Sequence, residues 1–208
     1  MKHEWRKAEK EYFVPKTTPE KVTVPKFKYY TIAGEGNPND DKFPEYIGVL
    51  YSLSYAVKMF PKKEKAPSGY FDYTVYPLEG VWDINEEAKK QYTGTLVKDD
   101  LIFNLMIRQP EFVTCDFADL IIETVKKNKP HSLLDKVKFD EIEDGACVQM
   151  MHLGPYDNEP QSFAQMEEFT KDLKLVRKSK VHREIYLSDV RRVAPEKLKT
   201  VLRFQVSE

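Results

Sequence analysis

Cysteine is scarce in this chain. The two present, Cys115 and Cys147, have no framework spacing, so a disulfide scaffold is excluded and a reducing, cytoplasmic setting is expected. An excess of either charge is also missing. Lys and Arg number 33 against 34 Asp and Glu, a formal net charge of −1, which removes the electrostatic case for nucleic acid or an anionic membrane as partner. No apolar run approaches the roughly 20 residues of a membrane span, and no signal-peptide pattern opens the chain. The four histidines, His3, His131, His152 and His182, lack a cysteine or carboxylate at metal-ligand spacing, so no metal site is expected. Gly34-Glu35-Gly36 lacks the spacing of a phosphate loop, and nothing reads as a helix-turn-helix.

What is present is an ordinary globular composition with many rings. The 208 residues are 41% hydrophobic and 32% charged, enough for one domain or two small halves sharing a core. Aromatics reach 12%, and flat side chains can line a pocket as well as fill a core. Residues 1–25 are charged and proline-punctuated. They read as an arm laid over the body, with a short helix through Trp5 and Tyr12 ending before Pro15.

From residue 26 onward one order of elements recurs. "KFKYYTIAGEG" reads as a strand ending in glycines, followed by a helix from about Phe43 with Phe43, Ile47, Leu50, Ser54 and Val57 on one face. Pro61 and Pro67 stop that helix, "YFDYTVYPLEGVW" alternates as a strand, and "DLIFNLMIRQP" is another. A helix capped by Thr114 follows, with the stripe Phe117, Leu120, Ile121, Thr124 and Val125. The order then repeats. "ACVQMMHLGPYDN" is strand into turn, "EPQSFAQMEEFTKDLK" is a helix with Phe163, Met166, Phe169 and Leu173 inward, and "HREIYLSD" and "KTVLRFQV" are strands. The sequence therefore reads as an internal duplication over about 26–110 and 135–208 within one domain, 26–208. The expected fold is α+β: two strand–helix–strand–strand units sharing an antiparallel sheet, with helices on one face and a concave groove on the other.

Several of these segments carry a resemblance. "PLEGVW", "HLGPYDNEP", "HREIYLSD" and "PEKLKTVLRFQV" resemble signatures of the GyrI-like small-molecule-binding family, and the opening "VPKTTPEKVTVPKFKYYTIAGEGNPND" resembles its stand-alone branch. The resemblance implies a pseudo-two-fold pair of units with a ligand groove between them. It also points to a subfamily that hydrolyses the cyclopropane of cyclopropanoid DNA-alkylating compounds inside an aromatic cage.

Candidate site residues follow from both lines. Period-two alternation puts Ile185 and Leu187 on one face of their strand and Glu184, Tyr186 and Ser188 on the other. On residues alone Glu184 fits a solvated sheet face; the resemblance assigns it to the groove, where partial burial would make it a better general base. Tyr76 and Tyr186 alternate onto the presumed groove faces, Tyr156 stands beside the turn glycine, and Trp82 lies just past a strand end. Together these four could cage a planar ring. Trp82 is equally readable as core, Glu79 as a ligand contact or a binder of turn amides, and His152 as structural. The expected ligand is a flat aromatic small molecule, with a partner protein left open. The expected activity is cofactor-independent hydrolysis of a strained ring, Glu184 acting on the water and a tyrosine such as Tyr186 donating to the departing oxygen. The alternative is a non-catalytic protein that sequesters drugs or acts like a gyrase inhibitor.

Overall fold

The computed structural model describes residues 2–62, 64–91, 93 and 96–208. In chain order the elements are α1 (Trp5–Ala8), α2 (Lys10–Phe13), β1 (Glu20–Glu35), α3 (Phe43–Met59), β2 (Leu78–Ile84), α4 (Glu86–Gln91), β3 (Leu101–Gln109), α5 (Cys115–Asn128), β4 (Lys138–Leu153), α6 (Glu159–Asp172), β5 (Val176–Arg177), β6 (His182–Tyr186) and β7 (Lys199–Ser207). The fold is mixed α+β, and the chain divides into two compact units. One comprises Met1–His3, Phe27–Leu78 and Trp82–Ile142; the other comprises Glu4–Lys26, Glu79–Val81 and Glu143–Glu208. No helix among the described residues is long and apolar enough to cross a membrane.

In the first unit β1 pairs antiparallel with β3 from Lys28↔Gln109 to Glu35↔Ile102, and β2 lies on the far side of β3. Helix α3 packs on β3 and α5. Its buried residues are Val49, Leu50, Leu53, Ser54 and Val57, a stripe at helical spacing. Helix α5 starts where expected, with the Thr114 hydroxyl accepting from Phe117 N–H. Its inward stripe is Ala118, Ile121, Ile122 and Val125, so the stripe is rotated by one residue from the expected one and Leu120 faces solvent. The expected strand over residues 70–82 forms only as β2, from Leu78 onward. Before it, Tyr70, Phe71 and Tyr73 pack their rings around Phe112 at 5.2, 5.4 and 6.0 Å, and Tyr73 makes a single parallel bridge to His3. Ring packing there satisfied the alternation without a ladder. Gly34 is fixed by a close approach: a Cβ there would lie 2.5 Å from the Phe103 ring.

In the second unit β4 pairs antiparallel with β7 from Cys147↔Gln205 to Leu153↔Lys199, β6 pairs antiparallel with the other edge of β7, and β5 pairs with its end. In the first unit β3 lies between β1 and β2, with α3 following β1; in the second β7 pairs with β4 and β6, with α6 following β4, and the two-residue β5 has no counterpart in the first unit.

Register then sorts the second unit's side chains. Val148, Met150, Leu202, Phe204 and Val206 form one apolar face, covered by Met166, Phe163 and Phe169 of α6. Leu173, expected to point inward, lies beyond the end of α6 and is exposed. On the opposite face the N-terminal arm lies as a strap. Arg203 donates to Tyr12 O at 2.6 Å, Gln149 donates to Glu11 O at 2.6 Å, Met151 N–H donates to Lys16 O at 2.7 Å, and Trp5 and Phe13 are buried.

Candidate functional site

Strand β6 is five residues long, and its two faces do different work. Arg183 is opposite Arg203 and Ile185 opposite Val201, on the face beneath the arm. Glu184 is opposite Leu202, which places it on the α6-bearing face with His182 and Tyr186. Glu184 is only 9% exposed, yet its carboxylate is well served: Tyr186 Oη donates to Oε2 at 2.7 Å, and His182 Nε2 stands 3.1 Å from Oε1.

A second carboxyl group joins it from α6. Glu159, the first residue of that helix, is 6% exposed, and as a carboxylate its Oε1 would meet no donor among the described residues. A helix N-terminus ordinarily favours an ionised carboxylate, by about 0.3–1 kcal/mol. Here burial wins, with the negative charge of Glu184 adding to it, and the Glu159 carboxyl is pushed up to about 10. Burial beside the Glu184 charge therefore favours the neutral form of Glu159. Tyr156, in the short 3-10 turn before α6, completes the cluster: its ring stands edge-on to Tyr186 at 5.9 Å and 83°. Burial, then the Glu184 charge, push its phenol up to about 12, so it remains a neutral donor.

The turn that presents Tyr156 and Glu159 is pinned by His152. Its Nε2 is 3.1 Å from Pro155 O and its Nδ1 is 2.9 Å from Ser162 Oγ. A carbonyl only accepts, so Nε2 carries the hydrogen and Nδ1 accepts from the serine. One buried ring thus ties the end of β4, the Gly154-Pro155 turn and the first turn of α6 together. Gly154 supplies the left-handed backbone, φ 123°, that lets the strand leave the sheet there.

The other expected site residues lie elsewhere. Glu79 is buried and accepts from Arg183 Nη1 at 2.8 Å, while Arg183 also binds Asp144 at 2.8 Å. Burial raises the Glu79 carboxyl, and the Arg183 and Arg203 charges oppose that rise. Glu79 therefore anchors an ion pair on the arm-covered face. In the first unit Trp82 is 5% exposed and packs at 5.9 Å from Phe43 and 5.4 Å from Phe103, with Tyr46 against the same Phe103 ring at 5.4 Å. Tyr76 is buried under the Arg108 guanidinium, 4.7 Å from its ring centre, with its hydroxyl 3.4 Å from His3 Nε2. The structure thus gathers Glu184, Tyr186 and Tyr156 into one cluster. Sequence reasoning missed Glu159 and His182. His182 was accessible to it, since period two places residue 182 on the face of 184; Glu159 reads locally as an ordinary acidic helix start. Among the described residues no three His, Cys, Asp or Glu side chains are placed to hold a metal ion.

Comparison with known proteins bears on the whole chain. A family model described as the GyrI-like small molecule binding domain matches residues 17–207. A hydrolase from Listeria innocua, known from a crystal structure, is 34% identical, with 99% of this chain and 100% of that chain covered at a TM-score of 0.88. An uncharacterized conserved protein from Listeria innocua is 35% identical over 99% of this chain and 100% of that chain, at a TM-score of 0.89. The C-terminal domain of EcmrR shares 15% identity over 92% of this chain and 98% of its own, at a TM-score of 0.52, which speaks to fold alone. No curated protein matches.

Proposed function

The chain belongs to the GyrI-like small-molecule-binding domain family, and from that premise we propose that it is a cofactor-independent hydrolase of flat, hydrophobic molecules carrying a strained electrophilic ring. The preferred substrates are cyclopropanoid DNA-alkylating compounds, and the biological role is detoxification. The observation that carries this reading is the buried Glu184 carboxylate, held by Tyr186 and His182 with the Tyr156 ring against Tyr186. The 34% identical Listeria protein described as a hydrolase supports it.

The chemistry asks little of the protein. In a cyclopropane conjugated to a dienone, attack of water on the less hindered ring carbon breaks a C–C bond. The electron pair runs through the ring system to the dienone oxygen, which becomes a phenol. Glu184 is the general base that takes the water's proton, its carboxylate plane fixed by Tyr186 on Oε2 and His182 on Oε1. Glu159 keeps the second carboxyl neutral, so the site holds one negative charge rather than two. Tyr186 is committed to Glu184. Tyr156, 37% exposed and still a phenol, is the donor to the developing phenolate. General base action supplies about 10²- to 10⁴-fold and orientation of the water several further kcal/mol. Stacking of the flat ligand falls to Tyr156 and Tyr186, worth about 0.5–1.5 kcal/mol per ring beyond burial.

Stoichiometry separates this reading from sequestration. Incubated with a hundredfold excess of a cyclopropanoid, the protein should convert all of it to the ring-opened phenol. Consumption that stops at one equivalent, or none with tight binding, would make the protein a binder only.

A further inference from the structure

The imidazole of His182 is placed where a proton leaving Glu184 would go. Its Nδ1 is 3.3 Å from Lys180 O, its Nε2 is 3.1 Å from Glu184 Oε1, and its ring packs edge-on to Phe163 of α6 at 4.7 Å and 69°. The carbonyl of Lys180 can only accept, so Nδ1 carries a hydrogen. With that hydrogen fixed, Nε2 and the carboxylate oxygen are two acceptors in contact unless a proton lies between them. The His182 side chain is 22% exposed, against 12% for Glu184, so the ring spans from the buried carboxylate toward solvent. The titratable group facing it is Glu184, which Tyr186 also engages, and Arg177 lies over the same Phe163 ring that the imidazole packs on. Glu167 is engaged by Arg177 of β5 and by Lys180 of the preceding loop.

We propose that His182 is the positioning residue that completes the base: His182 and Glu184 act as one proton-sharing unit, which takes the proton of the attacking water and releases it to solvent through Nε2. The inference rests on Glu184 being the base of the proposed hydrolysis. Before each turnover the shared proton leaves for bulk water. The water's oxygen then bonds to the ring carbon as its proton moves to Glu184 Oε1, and the ring C–C pair ends on the dienone oxygen, which is protonated by Tyr156 and, through it, by solvent. The proton on Oε1 is shared with Nε2 and lost again, so the net change is addition of one water.

Two measurements test this. In ¹⁵N-labelled full-length protein, the imidazole nitrogens of His182 should report a protonated Nδ1, and Glu184→Gln should change the signal of Nε2 but not of Nδ1. In turnover assays His182→Gln, which can donate to Glu184 but cannot take a proton, should lower kcat by about 10- to 100-fold with KM within a few-fold. Added imidazole should restore part of kcat. A neutral Nε2–H tautomer, or wild-type kcat in His182→Gln, or a lowered kcat that imidazole does not restore, overturns the proposal. A wild-type protein that does not turn over at all defeats the hydrolase reading instead, and the nitrogen signals still decide whether the pair shares a proton.

Discussion

Replacing Glu159 with glutamine should change how stability depends on pH, and the size of the change follows from one proton. In the folded protein burial and the neighbouring Glu184 charge hold the Glu159 carboxyl at about 10, against an ordinary value of 4.5. Between those values the folded state binds a proton that the unfolded chain has lost. The folded pKa is the raised one, so its contribution is complete below about 4.5 and is lost as pH rises toward 10. In that window unfolding free energy falls with pH by about 1.36 kcal/mol per unit for one proton. From pH 6 to pH 8 the wild type should therefore lose clearly more stability than Glu159→Gln, which has nothing to titrate at this position. Urea unfolding at pH 6, 7 and 8 measures this directly, and all other titrating groups are common to both proteins. Parallel stability–pH lines for the two proteins would refute a Glu159 carboxyl kept neutral by burial.

Arg183→Met should destabilise the protein by about 3–5 kcal/mol in urea unfolding, because Glu79 is left buried without its partner; a loss below 1 kcal/mol would mean the pair is not desolvated. Trp82→Ala should lower stability by about 3–5 kcal/mol, as expected for a ring packed between Phe43 and Phe103, whereas Trp82→Phe should fold normally. Any further role of Trp82 as a stacking ring would then show as several-fold weaker ligand binding by folded Trp82→Phe, and unchanged affinity would remove it from the cage. Gly34→Ala should cost about 1–3 kcal/mol, since its methyl meets a Phe103 ring that Phe43, Tyr46 and Trp82 hold in place; an unaltered melting temperature would show that the ring moves aside.

Much of the architecture was legible in the sequence because it rests on local signals. Thr114 caps α5, the proline at 61 stops α3, and Gly154-Pro155 turns β4 toward α6, each as expected. Alternation was less reliable where aromatic rings pack on one another, which is why residues 70–77 read as a strand and are not one. Period two correctly grouped Glu184 with Tyr186, but a period carries no information about which partner covers a face. Only the β6–β7 register shows that Glu184 shares its side with α6 and that Glu159 is its neighbour. The approach of two glutamates 25 positions apart in the chain has no local signature.

The central claim is that Glu184 takes the proton of an attacking water, and one comparison tests it most directly. Wild-type protein and Glu184→Gln are each given excess cyclopropanoid substrate, with ring-opened product and ligand affinity measured on the same samples. The account predicts multiple turnovers by the wild type, with Glu184→Gln slower by roughly 100-fold or more at an affinity within a few-fold of wild type. Equal turnover by the two proteins would contradict it.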